Sequence, residues 1–285
     1  MQIQWFPGHM AKARREVEEK LKLVDFVIEL VDARAPNASM NPMLQTILHN
    51  KPRLVVLMKK DLANDVATNH WIDYINQKDH AIAVNVHNKT DMKQLMKKAK
   101  ELGQIKIDQL KAKGILPRPA RAMIVGIPNV GKSTLINQLV RKKATKTGNT
   151  PGITKQQLWV KVGSDFELLD TPGILWPKFE TEEIAYHLAA IGSIKDTILP
   201  LQDVAAYVLK FLFKYHPDIV TSRYGIDVTE DDMYEIFIEI GKRVGALESG
   251  GMVNFEKVSH VVLNDFREGR LGKITLDQKP LDFSE

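Results

Sequence analysis

Apolar and polar positions along the first two-thirds of this chain switch repeatedly between a strand period and a helix period. Met10 to Val24 carries apolar residues at helical spacing with charges of alternating sign between them. Phe26–Asp32 and Arg53–Met58 are short, nearly continuous apolar runs, and they predict buried strands. Ala81 to Val86 predicts a third strand. Asn41–His49, Val66–Gln77 and Asp91–Lys113 predict helices between and after these strands. Pro117 and Pro119 break the pattern. A fourth strand is predicted from Ala120 to Ile127, a helix from Ser133 to Val140, and further strands at Gln156–Val162 and Phe166–Asp170. Strands alternating with helices predict an α/β domain with a mostly parallel six-stranded sheet and flanking helices.

From about Thr181 the strand signals fade. Ala205–Lys214, Asp231–Val244 and Glu256–Arg267 have helical spacing, punctuated by Gly250-Gly251 and Gly269. The stripe Val204, Val208, Phe211 and Leu212 reads as helical core. A small all-α C-terminal domain is expected over 181–285.

Composition changes this picture little. The chain has 285 residues, 44% hydrophobic and 26% charged, with no cysteine. Disulfides and thiolate metal sites are thereby excluded, and a reducing cytoplasm is the expected location. The N-terminus lacks the basic-then-apolar layout of a signal peptide. The longest apolar runs are far short of the roughly 20 residues that span a bilayer, so no membrane role is expected.

Charge adds more. The formal net charge is +5, but residues 217–285 hold 14 acidic against 8 basic residues, a balance of −6. The rest of the chain therefore carries +11. Basic residues concentrate around 12–22, in 89–121 and at Arg141-Lys142-Lys143 with Lys146. Such stripes can follow a phosphate backbone or simply solvate a helix face. The acidic tail would need a local patch, such as Arg267, Arg270 and Lys273, to meet RNA; otherwise it meets a protein.

The candidate chemistry starts at Gly126-Ile127-Pro128-Asn129-Val130-Gly131-Lys132-Ser133. This is a complete phosphate-binding loop between a strand and a helix. Its glycines let successive backbone N–H groups point at phosphates. Asn129, Val130, Gly131, Lys132, Ser133 and Thr134 are expected to touch nucleotide, with Lys132 on the β- and γ-phosphates and Ser133 on Mg²⁺. Asp170-Thr171-Pro172-Gly173 follows: Asp170 is expected to hold Mg²⁺ through water, and the Gly173 N–H to contact the γ-phosphate. Gly148–Thr154 between them reads as a switch, with Thr154 favoured over Thr150 to close on Mg²⁺. Lys132 and Gly173 are thus expected to be catalytic as well as binding groups. Asn129 could serve a monovalent cation such as K⁺ or act as a backbone-capping amide.

Guanine reading falls to Met58-Lys59-Lys60-Asp61, after the second strand. A carboxylate at Asp61 accepts from both the ring N–H and the exocyclic amine of guanine, and adenine offers no such pair. The Lys59 stem would pack along the base. Met58 stands where most GTPases have asparagine, and Asn85-Val86 occupy the place of the usual second base loop. Ile174 stands where Ras-like enzymes place a water-orienting glutamine. A second reading therefore stays open: a GTP-gated RNA- or protein-binding module with negligible hydrolysis. A GTPase of another process, such as tRNA modification, has less support.

In ordinary small GTPases the base-reading motif comes last, whereas here it precedes the phosphate loop. The expected fold is a circularly permuted Ras-like GTPase domain over 1–180. Its base-recognition half is 1–113, its linker 114–119, and its phosphate-loop and switch half 120–180. These motifs resemble the circularly permuted ribosome-assembly GTPases of the ribosome biogenesis GTPase A type. So do Trp5-Phe6-Pro7-Gly8-His9-Met10, Asp32-Ala33-Arg34-Ala35-Pro36 and Asp170–Pro177. The resemblance implies a cytoplasmic GTPase that acts late in maturation of the large ribosomal subunit. It implies binding to rRNA and ribosomal proteins, and hydrolysis stimulated by the subunit. It also implies K⁺ dependence through Asn129, and His9 in place of the missing glutamine. An imidazole can orient water, but a histidine in such a segment is more often merely exposed. A monomer is expected.

Overall fold

A computed structural model describes residues 15–48, 51–116, 118–141, 159–162, 166–171, 173, 175, 179–226 and 232–277. Residues 15–21 are helical and lead into the sheet. The strands are β1 (Phe26–Asp32), β2 (Arg53–Met58), β3 (His80–Val84), β4 (Ala120–Gly126), β5 (Trp159–Val162) and β6 (Phe166–Asp170). Helices α1 (Pro36–Ser39) and α2 (Pro42–Ile47) follow β1, α3 (Asp65–Asn76) follows β2, and α4 (Lys89–Ala112) links β3 to β4. Helix α5 (Lys132–Arg141) leaves the phosphate loop. Helices α6 (Glu182–Ala190), α7 (Leu201–Tyr215), α8 (Pro217–Tyr224), α9 (Met233–Val244) and α10 (Phe255–Arg267) form the C-terminal part.

The six strands run in the order β3-β2-β1-β4-β6-β5, all parallel except the edge pair β5/β6. Within the sheet the halves β1–β3 and β4–β6 are joined by the pairing of β1 with β4. Exchanging the halves in the chain would leave every strand in its place, which is why a permuted sequence can build this sheet. The crossover between them is the 24-residue α4, capped by Asn88, whose side chain accepts from Thr90 N and Asp91 N. The joint after it is fixed: Arg118 donates to both Asp25 oxygens at 2.8 and 2.9 Å, and Arg121 N to Asp25 Oδ2 at 2.8 Å. Burial would raise the Asp25 carboxyl, but these donors hold it below its ordinary value.

All seven residues of β1 and all six of β2 are buried, as strands covered on both faces require. Two of the buried residues of β1 are acidic. Glu29 accepts from Arg53 Nη1 at 2.9 Å and from Asn41 N at 3.0 Å. Burial nevertheless pushes its carboxyl up. Asp32 lies at the site. Register places Asp32 beside Met58 and Leu30 beside Gly126. The loops after β1, β2 and β4 therefore emerge together at the carboxyl edge, where ligands of such sheets bind.

One hydrophobic cluster joins the sheet to the C-terminal helices, from Phe26 and Leu168 to Val208, Leu212 and Leu263. Three expectations need correction. The third strand ends at Val84, so Asn85 and Val86 lie in the turn beyond it. Helices α6 and α8 were not foreseen. The basic patch Arg267, Arg270 and Lys273 is spent internally: Arg267 pairs with Asp196, Arg270 with Asp265 and Glu268, and Lys273 with Asp65. Arg270 and Lys273 remain about half exposed, so these pairs reduce but do not remove the charge they show to solvent.

Candidate nucleotide site

The phosphate loop takes its shape from Asn129 and Gly131, both at positive φ (60° and 102°). At Gly131 any side chain would be strained, and its Cβ would stand 3.3 Å from the Met58 methyl. Met58 is buried and packs under the phosphate loop. Its thioether makes apolar contact where an asparagine would have made a hydrogen bond. Val130 is buried beneath the loop, while Ser133 and Thr134 are exposed at the start of α5. Gly173 lies against Pro128, where an added Cβ would come within 3.1 Å of backbone atoms. The switch strand thus abuts the phosphate loop. Thr171 secures this approach by donating to Ile124 O at 2.8 Å.

Lys132 Nζ is ion-paired with Asp170 Oδ1. The structure therefore brings together the two groups that the sequence assigned to phosphate and Mg²⁺. Asp170 and the Ser133 hydroxyl are hard oxygen donors of the type Mg²⁺ takes alongside phosphate oxygens. Among the described residues no group of three His, Asp or Glu side chains could hold a metal alone.

The base-reading loop is tied to the phosphate loop by Lys59. That residue is itself in the left-handed region (φ 59°), uncommon for a side chain of this size. Its Nζ donates to Asn129 O at 3.0 Å and to Asp32 Oδ2 at 2.9 Å. Asp32 also accepts from Arg34 N, Nε and Nη2 at 3.1, 2.9 and 2.8 Å. Arg34 is 1% exposed and reaches on to Arg267 O and Ile191 O. Sequence reasoning quoted Asp32 and Arg34 only for their resemblance. The available signal was a pair of charges, Asp32 and Arg34, closing a strand whose one other charge is Glu29.

Asp61 is exposed, in the 3₁₀ turn Lys60–Leu62, with no ion-pair partner among the described residues. Its neighbour Lys60 was expected at the nucleotide, but its Nζ pairs with Asp91 Oδ1 at 3.2 Å. The reason is that Asp91, at the start of α4, also accepts from Asn85 N at 2.9 Å. It holds the two base loops together. The Asn85 side chain accepts from His87 N at 2.9 Å, and Val86 packs against the core. The Asn129 amide donates to Gly192 O at 2.7 Å, beyond α6. That bond ties the phosphate loop to the C-terminal part. His9, Thr150, Thr154, Ile174, the N-terminal signature, strand positions 156–158 and Lys142 to Lys146 lie outside the described residues.

A phosphate loop on β4, a switch strand on β6 and an earlier base loop on β2, all at one edge, define a circularly permuted GTPase. The family described as "50S ribosome-binding GTPase" matches residues 121–238. The ribosome biogenesis GTPase A of Bacillus cereus is 54% identical over all of this chain and 96% of its own length. That of Priestia megaterium is 53% identical over 97% of each. The chain belongs to the ribosome biogenesis GTPase A family. Two solved YlqF structures share the fold. A GDP-bound one has a TM-score of 0.69 and 26% identity, covering 94% of this chain and all of that one. A GNP-bound one from T. maritima has a TM-score of 0.68 and 27% identity, covering 95% and 100%.

Proposed function

We propose that this GTPase binds the maturing large ribosomal subunit, acts at a late step of its assembly, and is stimulated by that subunit to hydrolyse GTP. The observation that carries the enzymatic reading is the Lys59 bridge, which joins the base loop to the phosphate loop across the permuted halves. Family membership supplies the partner. Asp61 reads guanine beside Lys59, Met58, Lys60, Asn85 and Val86. Backbone N–H groups of Asn129 to Thr134 hold the phosphates, with Lys132 on the β- and γ-oxygens. Ser133, Thr154 and Asp170 hold Mg²⁺, which when bound neutralises charge on the triphosphate. Gly173 senses the γ-phosphate, and Asn129 Oδ1 can face K⁺ while its amide stays on Gly192. His9 orients the attacking water. Residues 1–180 form the GTPase domain and 181–285 a helical domain, in a cytoplasmic monomer. No helix among the described residues is long and apolar enough to cross a membrane.

The RNA-facing surface on this reading is the outer side of α4, where Lys93, Lys97, Lys106 and Lys111 are exposed. Nucleotide favours an ordered switch, and by linkage the subunit favours the same state. Co-sedimentation with purified large subunits tests this. Binding is expected with a non-hydrolysable GTP analogue, weaker binding with GDP, and a steep loss as salt rises. Equal sedimentation in both nucleotide states would remove the nucleotide gate.

A further inference from the structure

The segment Lys273–Asp277 leaves α10 and lies across the GTPase half as a buried strap. Ile274, Thr275 and Leu276 are 1, 2 and 4% exposed. Ile274 N donates to Leu62 O at 3.1 Å, and Leu276 N to Arg34 O at 2.7 Å. Asp277 accepts from Ala38 N and, through its carbonyl, from Trp71 Nε1. From the other side His187 Nδ1 lies 2.7 Å from Asp277 Oδ1, and Tyr207 Oη 2.9 Å from Nε2. The crossing point is Thr275. Its hydroxyl accepts from Asn64 N at 3.0 Å and donates to Ala33 O at 3.3 Å.

Two of these bonds end on Leu62 and Asn64, one and three residues past Asp61. Lys59 and Lys60 fix the near side of the Asp61 turn through Asp32 and Asp91, and the strap fixes its far side at Leu62 and Asn64. The hydroxyl ties it to the exit of β1, whose Asp32 anchors Lys59. Both base-reading residues are thus referenced to one side chain in the last fifteen residues of the chain. We infer that Thr275 is a positioning residue for guanine recognition, acting through the Leu62–Asn64 turn on the carboxylate of Asp61. The inference rests on Asp61 reading the base. It gives the C-terminal helices a part in nucleotide specificity, not only in partner binding.

The test compares GDP with IDP, which lacks the exocyclic amine that Asp61 would read. Thr275→Val removes the hydroxyl with little change of volume, leaving Asn64 N and Ala33 O unpaired. Thr275→Ser keeps the hydroxyl. The valine variant is expected to lose roughly tenfold in GDP affinity and far less in IDP affinity, so the preference narrows. The serine variant restores it. Thr275→Ala serves the same comparison should the valine variant not fold. A preference that is unchanged, or equal losses for both nucleotides, would overturn the inference and leave Thr275 a structural residue. No GDP preference in the unaltered protein would instead remove Asp61 as the guanine reader, and the inference with it.

Discussion

Asp61→Asn is expected to lower GTP affinity roughly 100-fold and to confer binding of xanthosine nucleotides. A carboxylate accepts from two adjacent guanine donors, and each such bond is charge-assisted. Replacing one oxygen by an amide donor removes an acceptor and the charge, and sets N–H against N–H. Loss of a charged hydrogen bond is worth about 1.5–3 kcal/mol, and the top of that range is about 100-fold. Xanthine has an oxygen where guanine has the amine, so the new amide gains a partner there. Competition against a fluorescent GDP analogue measures both affinities. The exposed position of Asp61 leaves the fold untouched, so a weakened GTP site without the xanthine gain would argue against direct base reading.

Asp32→Asn is expected to destabilise the protein by about 3–5 kcal/mol, the range for breaking a buried ion pair. Asp32 and Arg34 are both 1% exposed, and Lys59 shares the same carboxylate. Burial pushes the Asp32 carboxyl up. The Arg34 guanidinium and the Lys59 ammonium outweigh it and hold the carboxyl well below the ordinary 3.8. The sign follows. A depressed carboxylate contributes its stability in full above 3.8 and loses it as pH falls through the lower, folded value. Urea unfolding of both proteins should therefore differ most near neutrality, with the gap closing only in strong acid. Nucleotide affinity should fall too, because Lys59 loses the partner that aims it at Asn129. A difference under about 1 kcal/mol at neutral pH would show that Asp32 is not what holds the loops together.

Much of this site was legible because its signals are local. β1 and β2 fall where their mostly apolar runs begin and end, since strands buried on both faces leave few polar positions to blur the limits. The phosphate loop and the Asp170 turn are contiguous motifs, and the permuted order is visible from their positions alone. What was not legible is long-range. The pairing of the Lys60 ammonium with Asp91, thirty-one positions on, has no local signature. Arg267 and Lys273 meet their carboxylate partners, Asp196 and Asp65, through packing and not through spacing. Thr275 gave no sign at all, as its two partners lie more than two hundred residues away. Helix α8 starts with a proline and has little apolar asymmetry to report, whereas α6 carried an overlooked cap in Thr181.

The central claim is that a large ribosomal subunit switches on hydrolysis at this site. It is tested most directly by GTP turnover in K⁺ buffer, with large subunits, with small subunits, and with neither. The account predicts selective stimulation by the large subunit. It further predicts a loss of that stimulation in His9→Ala with GTP affinity nearly intact. Turnover that stays at the intrinsic level, about 10⁻⁴–10⁻² s⁻¹ for small GTPases, with every subunit would contradict it and leave a GTP-gated binding module.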